Sequence, residues 1–150
     1  MAELKGKTLL AYVAGIIDGE GCIGLHKNMQ YKHPSYTVRV YVGNTNEWLI
    51  QFLKIQFGGF ITTKKAKDNR NQVWAWELRA RKACIFLRLI LPYLQMKRAN
   101  AELALLFQER RTYSQTGLSE RRILDEADRI LMASYNHRGT NNLMGGKTNE

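Results

Sequence analysis

Residues 11–25, AYVAGIIDGEGCIGL, limit the possible folds more than any other stretch of the chain. Ala11 to Ile17 are apolar or small and read as part of a buried helix, expected over 8–18. Asp18 and Glu20 then stand among glycines, and Ile23 and Leu25 alternate with Gly24, His26 and Asn28, which is strand spacing. A glycine in the left-handed region would end the helix and turn it at once into a sheet. The carboxylates stand where they are least favoured. The C-terminus of a helix is partly negative, and an exposed acid there costs a few tenths to about 1 kcal/mol. A hard divalent cation, which takes carboxylate, carbonyl and water oxygens, would remove that cost. A polar cap with a tight turn is the other reading. Ala11, Gly15 and Gly19, spaced four apart, make a flat stripe on which a second helix can pack closely.

The rest of the chain continues the alternation. In YTVRVYV, Tyr36, Val38, Val40 and Val42 share one face of a strand, and Thr37, Arg39 and Tyr41 share the other. A helix is expected at about 46–57, capped by Asn44, Thr45 or Asn46, with Trp48, Leu49, Phe52 and Leu53 as its apolar stripe; Gly58 and Gly59 stop it. FITTKK and VWAWELRA are two more strands, joined by the polar turn AKDNRN. A helix from about Lys82 to Leu91 is closed by Pro92. QMKRANAELALLFQERR is expected to be amphipathic with Met96, Ala99, Leu103, Leu106 and Phe107 inward. A last helix over 119–135 would pack through Ile123, Leu124, Ala127, Ile130 and Leu131. The expected domain is 1–135, with 136–150, rich in Asn and Gly, a flexible tail. The fold class is α+β: one four-stranded antiparallel sheet with helices on one face. The other face would carry His26, Thr37, Arg39, Tyr41, Thr62 and Lys64.

Charge narrows the partner. Lys and Arg number 23 against 13 acids, a net +10 over 150 residues, which favours a polyanion. No apolar run is long enough to span a membrane. The N-terminus, MAELKGKTLL, lacks the apolar core of a leader, and two cysteines make no disulfide framework. A reduced, intracellular protein is expected.

VAGIIDGEG, residues 13–21, closely resembles the signature motif of the LAGLIDADG homing endonucleases. LPYLQMKRANAELAL is similar to the stretch that follows the fourth strand in that family. The likeness runs from about Leu9 to Arg111 and implies an α-β-β-α-β-β-α core. Only one motif is present, and single-motif members work as homodimers. The resemblance therefore implies half of a symmetric enzyme, with Ala11, Gly15 and Asp18 in the dimer interface. It implies Glu20 and the Gly19 carbonyl as ligands of Mg²⁺ or another divalent cation, and Lys97 as an active-site lysine. Asn44, at the end of the second strand, would hold a nucleophilic water; the same residue also suits a helix cap. The implied activity is metal-dependent hydrolysis of double-stranded DNA at a long, pseudo-palindromic target, intron- or intein-associated. An exposed sheet face suits the major groove. The residues expected to meet DNA are His26, Asn28, Gln30, Thr37, Arg39, Tyr41, Thr62, Lys64 and Arg70, with Arg39 forking onto guanine. An RNA maturase and a non-cleaving DNA-binding protein remain alternatives.

Overall fold

Alternating valines, tryptophans and leucines need a covered face, and the fold supplies one with helices. The structure, a computed structural model, describes residues 3–30, 32–65, 72–113 and 117–137; Arg70 and most of the tail lie outside them. The elements are α1 (Gly6–Glu20), β1 (Gly21–Asn28), β2 (Ser35–Asn44), α2 (Glu47–Phe57), β3 (Phe60–Lys64) and β4 (Val73–Arg79). They continue with α3 (Ala80–Ile90), a 3₁₀ turn (Leu91–Tyr93), α4 (Arg98–Tyr113) and α5 (Leu118–Asn136).

The sheet is antiparallel throughout, in the order β1-β2-β4-β3. Two hairpins thus meet along β2 and β4. Their register sets Ile23 against Val40, Leu25 against Val38 and Val42 against Trp76. These side chains are buried with Ile17, Ile50, Leu53, Leu87 and Phe107 in one core. Cys22, Gly24 and His26 of β1 face the other way, opposite Tyr41, Arg39 and Thr37. Trp76 is fully buried, and its indole N–H donates to the Gly58 carbonyl at 2.8 Å. Gly59 has φ 84°, and a Cβ there would lie 2.4 Å from the Glu77 carbonyl oxygen. Only glycine fits between α2 and the sheet at that point.

Four expectations need correction. The motif helix runs on through Gly19 to Glu20 and ends at Gly21, whose backbone is extended (φ −87°) rather than left-handed. Gly21 is required by crowding: a Cβ would sit 2.9 Å from the backbone of Ile17. In α2 the buried residues are Ile50 and Leu53. Trp48 is exposed and stacks on Phe52 at 5.3 Å between ring centroids. Met96 lies ahead of α4 and faces solvent, as do Ala99 and Leu106 within it, while Asn100, Ala101, Ala104 and Phe107 are buried. Small alanines let α4 approach closely, and residues 95–97 are held outside the helix by contacts described below. Finally, α5 is rotated from the expected orientation. Ile123, Leu124, Ala127, Ile130 and Leu131 are exposed, and Asp125 and Met132 are buried.

The rotation of α5 has a charged cause. Asp125 lies 3.0 Å from Arg110, which also meets Asp128 at 2.9 Å. Glu126 accepts hydrogen bonds from Tyr36, Arg129 and Lys27. Asn136 donates to the Ile23 carbonyl of β1 at 2.8 Å and accepts from the buried Asn100 at 2.9 Å. The helix is fastened to the β1 side of the sheet by its polar side. Arg129 above all, then Tyr36, holds the Glu126 carboxyl down at about 2. Burial, then the bond to Glu126, pushes the Tyr36 hydroxyl up to about 12.

Candidate active site and nucleic-acid interface

The two motif acids occupy different environments. Asp18 is buried and turned inward: its carboxylate accepts from the backbone N–H groups of Gln95, Met96 and Lys97 at 2.8, 3.1 and 2.9 Å. These donors lie just ahead of α4, so a negative side chain meets the positive end of a helix. The resemblance sets Asp18 in the dimer interface with Ala11 and Gly15; within its own chain the side chain ties α1 to the segment leading into α4.

Lys97 completes the tie. Its ammonium donates to the carbonyls of Ile17 and Asp18 at 2.9 and 2.6 Å, and so caps the negative end of α1. The cost that an acid meets at a helix C-terminus is thereby met from within the chain for Asp18. Glu20 is different: it is exposed, and its carboxylate makes no hydrogen bond or ion pair among the described residues. Asp18, Gly19, Glu20, Gly21, Cys22, Met96, Lys97, Tyr135, Asn136 and His137 line one open polar cleft. The last three come from the end of α5, and the sequence reading missed them. Their only sequence signal was a polar end to an amphipathic helix.

Asn44 does not line this cleft. Its side-chain oxygen accepts from the Asn46 N–H at 2.8 Å, and Asn46 in turn caps α2 through the Trp48 N–H at 3.0 Å. Of the three candidate caps, Asn46 caps α2, and Asn44 holds the turn that leads into it.

Gly15 and Gly19 lie on the exposed side of α1, and a Cβ on either would meet nothing within 4 Å. A helical glycine costs about 1 kcal/mol against alanine, and nothing inside the chain calls for it here.

On the outer face of the sheet, His26, Thr37, Arg39, Tyr41, Thr62 and Lys64 lie together, as their alternation predicts. Asn28 joins them at the end of β1, its side-chain oxygen accepting from the Gln30 N–H at 2.9 Å. Arg39 is not open-handed. It binds Glu77 of β4 through Nε at 2.6 Å and Nη2 at 3.3 Å, and lies over the Tyr41 ring at 4.8 Å. Arg79 donates from Nε to the same Glu77 oxygen at 2.6 Å and lies over Phe60 at 5.2 Å. Glu77 is buried; burial raises its carboxyl, but Arg79 and Arg39 outweigh that and hold it below the usual range. Glu77, Arg79 and Phe60 were missed as site residues, although their places on the outer face follow from strand alternation.

No protein-family model and no curated protein matches the chain, but solved structures do. The homing endonuclease I-CvuI, in complex with the I-CreI target in the presence of Mg with the DNA not cleaved, superposes with a TM-score of 0.72. Identity is 19 %, over 89 % of this chain and 84 % of that one. The archaeal intron-encoded homing endonuclease I-Vdi141I, complexed with DNA, gives 0.73 at 13 % identity, over 87 % and 86 %. The LAGLIDADG homing endonuclease I-GzeII, in complex with its DNA target, gives 0.62 at 17 % identity. The match spans 82 % of this chain but only 43 % of I-GzeII. The fold is that of the LAGLIDADG homing endonucleases. Within it, VAGIIDGEG occupies α1 and its junction with β1, the segment that lines the cleft.

Proposed function

We propose that this chain is one half of a homodimeric, site-specific DNA endonuclease that hydrolyses both strands of a long, pseudo-palindromic target, in the setting of intron or intein homing. The observation that carries the reading is the contrast within the motif: Asp18 is fully engaged, while Glu20 stands unpaired in a cleft beside Lys97. The exposed Gly15 and Gly19, needed by nothing in their own chain, support a second α1 packed against the first. That packing would bring two Glu20 side chains near one axis. The basic outer face of the sheet, with His26, Thr37, Tyr41, Thr62 and Lys64, suits the major groove.

The donors at the cleft fit a hard cation such as Mg²⁺. Glu20 supplies a carboxylate and Gly19 a carbonyl, and among the described residues no three of His, Cys, Asp and Glu gather. Such an ion would need few further protein ligands, since Mg²⁺ keeps several of its waters. When bound, the ion supplies Lewis acidity to the scissile phosphate and lowers the pKa of water. Lys97 keeps the end of α1 in place and adds positive charge where a phosphate would arrive.

The test is selection of cleaved duplexes from a random library with Mg²⁺, wild type beside Glu20→Gln. We expect the wild type to yield one near-palindromic site, and the variant to bind it normally while cutting at least about a hundredfold more slowly. Equal cutting by both would overturn the assignment of Glu20. Tight binding without cutting by either would leave a DNA-binding module.

A further inference from the structure

Glu77 is a buried carboxylate on the sheet face that none of the described helices covers. Surface sheets rarely hold such a group, because desolvating it is unfavourable and a packed apolar pair is often as stable. Its gain is orientation. Both guanidinium Nε atoms converge on one Glu77 oxygen at 2.6 Å, and Arg39 and Arg79 are directly opposed in the β2–β4 ladder. Tyr41 and Phe60 support the two planes at 4.8 and 5.2 Å. Glu77 takes the Nε side of each group. Arg39 also gives one N–H of Nη2 to Glu77, but the end formed by Nη1 and Nη2 still carries two parallel N–H bonds on both arginines, a spacing that matches O6 and N7 of guanine.

We infer that Glu77 is a positioning residue for sequence readout: it presents Arg39 and Arg79 as two adjacent, pre-aimed forks for two neighbouring guanines in each half of the DNA target. This rests on the DNA-endonuclease reading. Without Glu77, two like charges side by side would repel, and each arginine would sample many rotamers before finding its base. With it, the pair keeps one net positive charge and a fixed spacing, and ordering on binding is reduced.

The experiment compares base preference at every target position, by library selection and binding titration with duplex DNA, for wild type, Glu77→Gln, Glu77→Ala, Arg39→Lys and Arg79→Lys. The lysine variants keep charge and lose the fork. We expect discrimination for guanine to fall roughly tenfold or more at two contiguous positions per half-site in both Glu77 variants, and at one of these two positions each in Arg39→Lys and Arg79→Lys. Other positions keep their preference. Non-specific binding by Glu77→Gln holds or rises, since a negative charge is removed. An unchanged preference in Glu77→Gln overturns the inference. So does a uniform loss across all sequences with a lowered Tm in both Glu77 variants, which would make the carboxylate merely structural. Should the wild type select no duplex at all, the endonuclease reading fails and the inference falls with it. A selected site lacking adjacent guanine dependence overturns the inference alone.

Discussion

Two regions of the molecule bury an aspartate, and they neutralise it by different means. At the end of α1, Asp18 is met by three backbone N–H groups of residues 95–97. On α5, Asp125 is met by the side chains of Arg110 at 3.0 Å and Arg111 at 3.9 Å. Backbone donors are already fixed by the fold, so the contact orders little that was free. Arginine side chains must be ordered to make theirs, and salt screens the attraction where it reaches the surface. The first arrangement sets a position accurately, and it sits beside the cleft. The second holds a helix in place and tolerates variation.

The largest effect should come from breaking the first. Asp18→Ala leaves three part-buried N–H groups without their acceptor, at roughly 3–5 kcal/mol in all. For a chain of this size that lowers Tm by about 10 °C. Cleavage should fall even below the melting range, because residues 95–97 carry Lys97 to the cleft. Calorimetry together with a cleavage assay well under Tm separates the two effects. Asp125→Ala should cost less, about 2 kcal/mol, because Arg110 keeps Asp128 at 2.9 Å. The loss should shrink in high salt, whereas that of Asp18→Ala should not. Equal salt dependence would erase the distinction between the two regions.

What the sequence disclosed follows the same division. The end of α1 was legible because its logic is local: small residues, a carboxylate pair and a strand in immediate succession. The sheet was legible because alternation of Val38, Val40 and Val42 with Arg39 and Tyr41 has one meaning. The α5 reading failed because its apolar stripe is regular, and a regular stripe is read as the buried side. Its true contacts, Glu126 with Tyr36 and Asp125 with Arg110, join residues far apart in sequence, and periodicity holds no record of them. The inward-turned Asp18 and the Glu77 fork were hidden for the same reason. A carboxylate can be placed by alternation, but its partner cannot.

The α5 contact should also carry a pH signature. The Glu126 carboxyl is held at about 2 in the fold against an ordinary 4.5, so unfolded chains take up its proton first as pH falls. The stability it gives is complete above about 4.5 and disappears on the way down to about 2. Tyr36 has the opposite sign. Its hydroxyl is raised from 10 to about 12, so its contribution is complete below 10 and is lost as pH climbs through 12. Denaturant melts across pH should show both limbs in the wild type, and Glu126→Gln should flatten the acid one. An unaltered acid limb would mean that α5 is held by its other contacts alone.

The smallest effect is the most direct test of the orientation of α5. If Ile130 faced the core, as its spacing with Ile123 and Leu131 suggests, Ile130→Gln would bury an amide and remove a large apolar side chain, at several kcal/mol. In the structure Ile130 is 57 % exposed and Ile123 is 70 % exposed. The substitution should then change stability by less than about 0.5 kcal/mol, within 1–2 °C in Tm. Met132, two residues further along the same helix, is 2 % exposed. Met132→Gln should therefore be the costly change of the two. That order, a polar residue tolerated on the regular apolar stripe and refused on the face that carries the buried Asp125 and Met132, is what a helix held by its charged side requires, and the reverse order would restore the orientation that periodicity suggests.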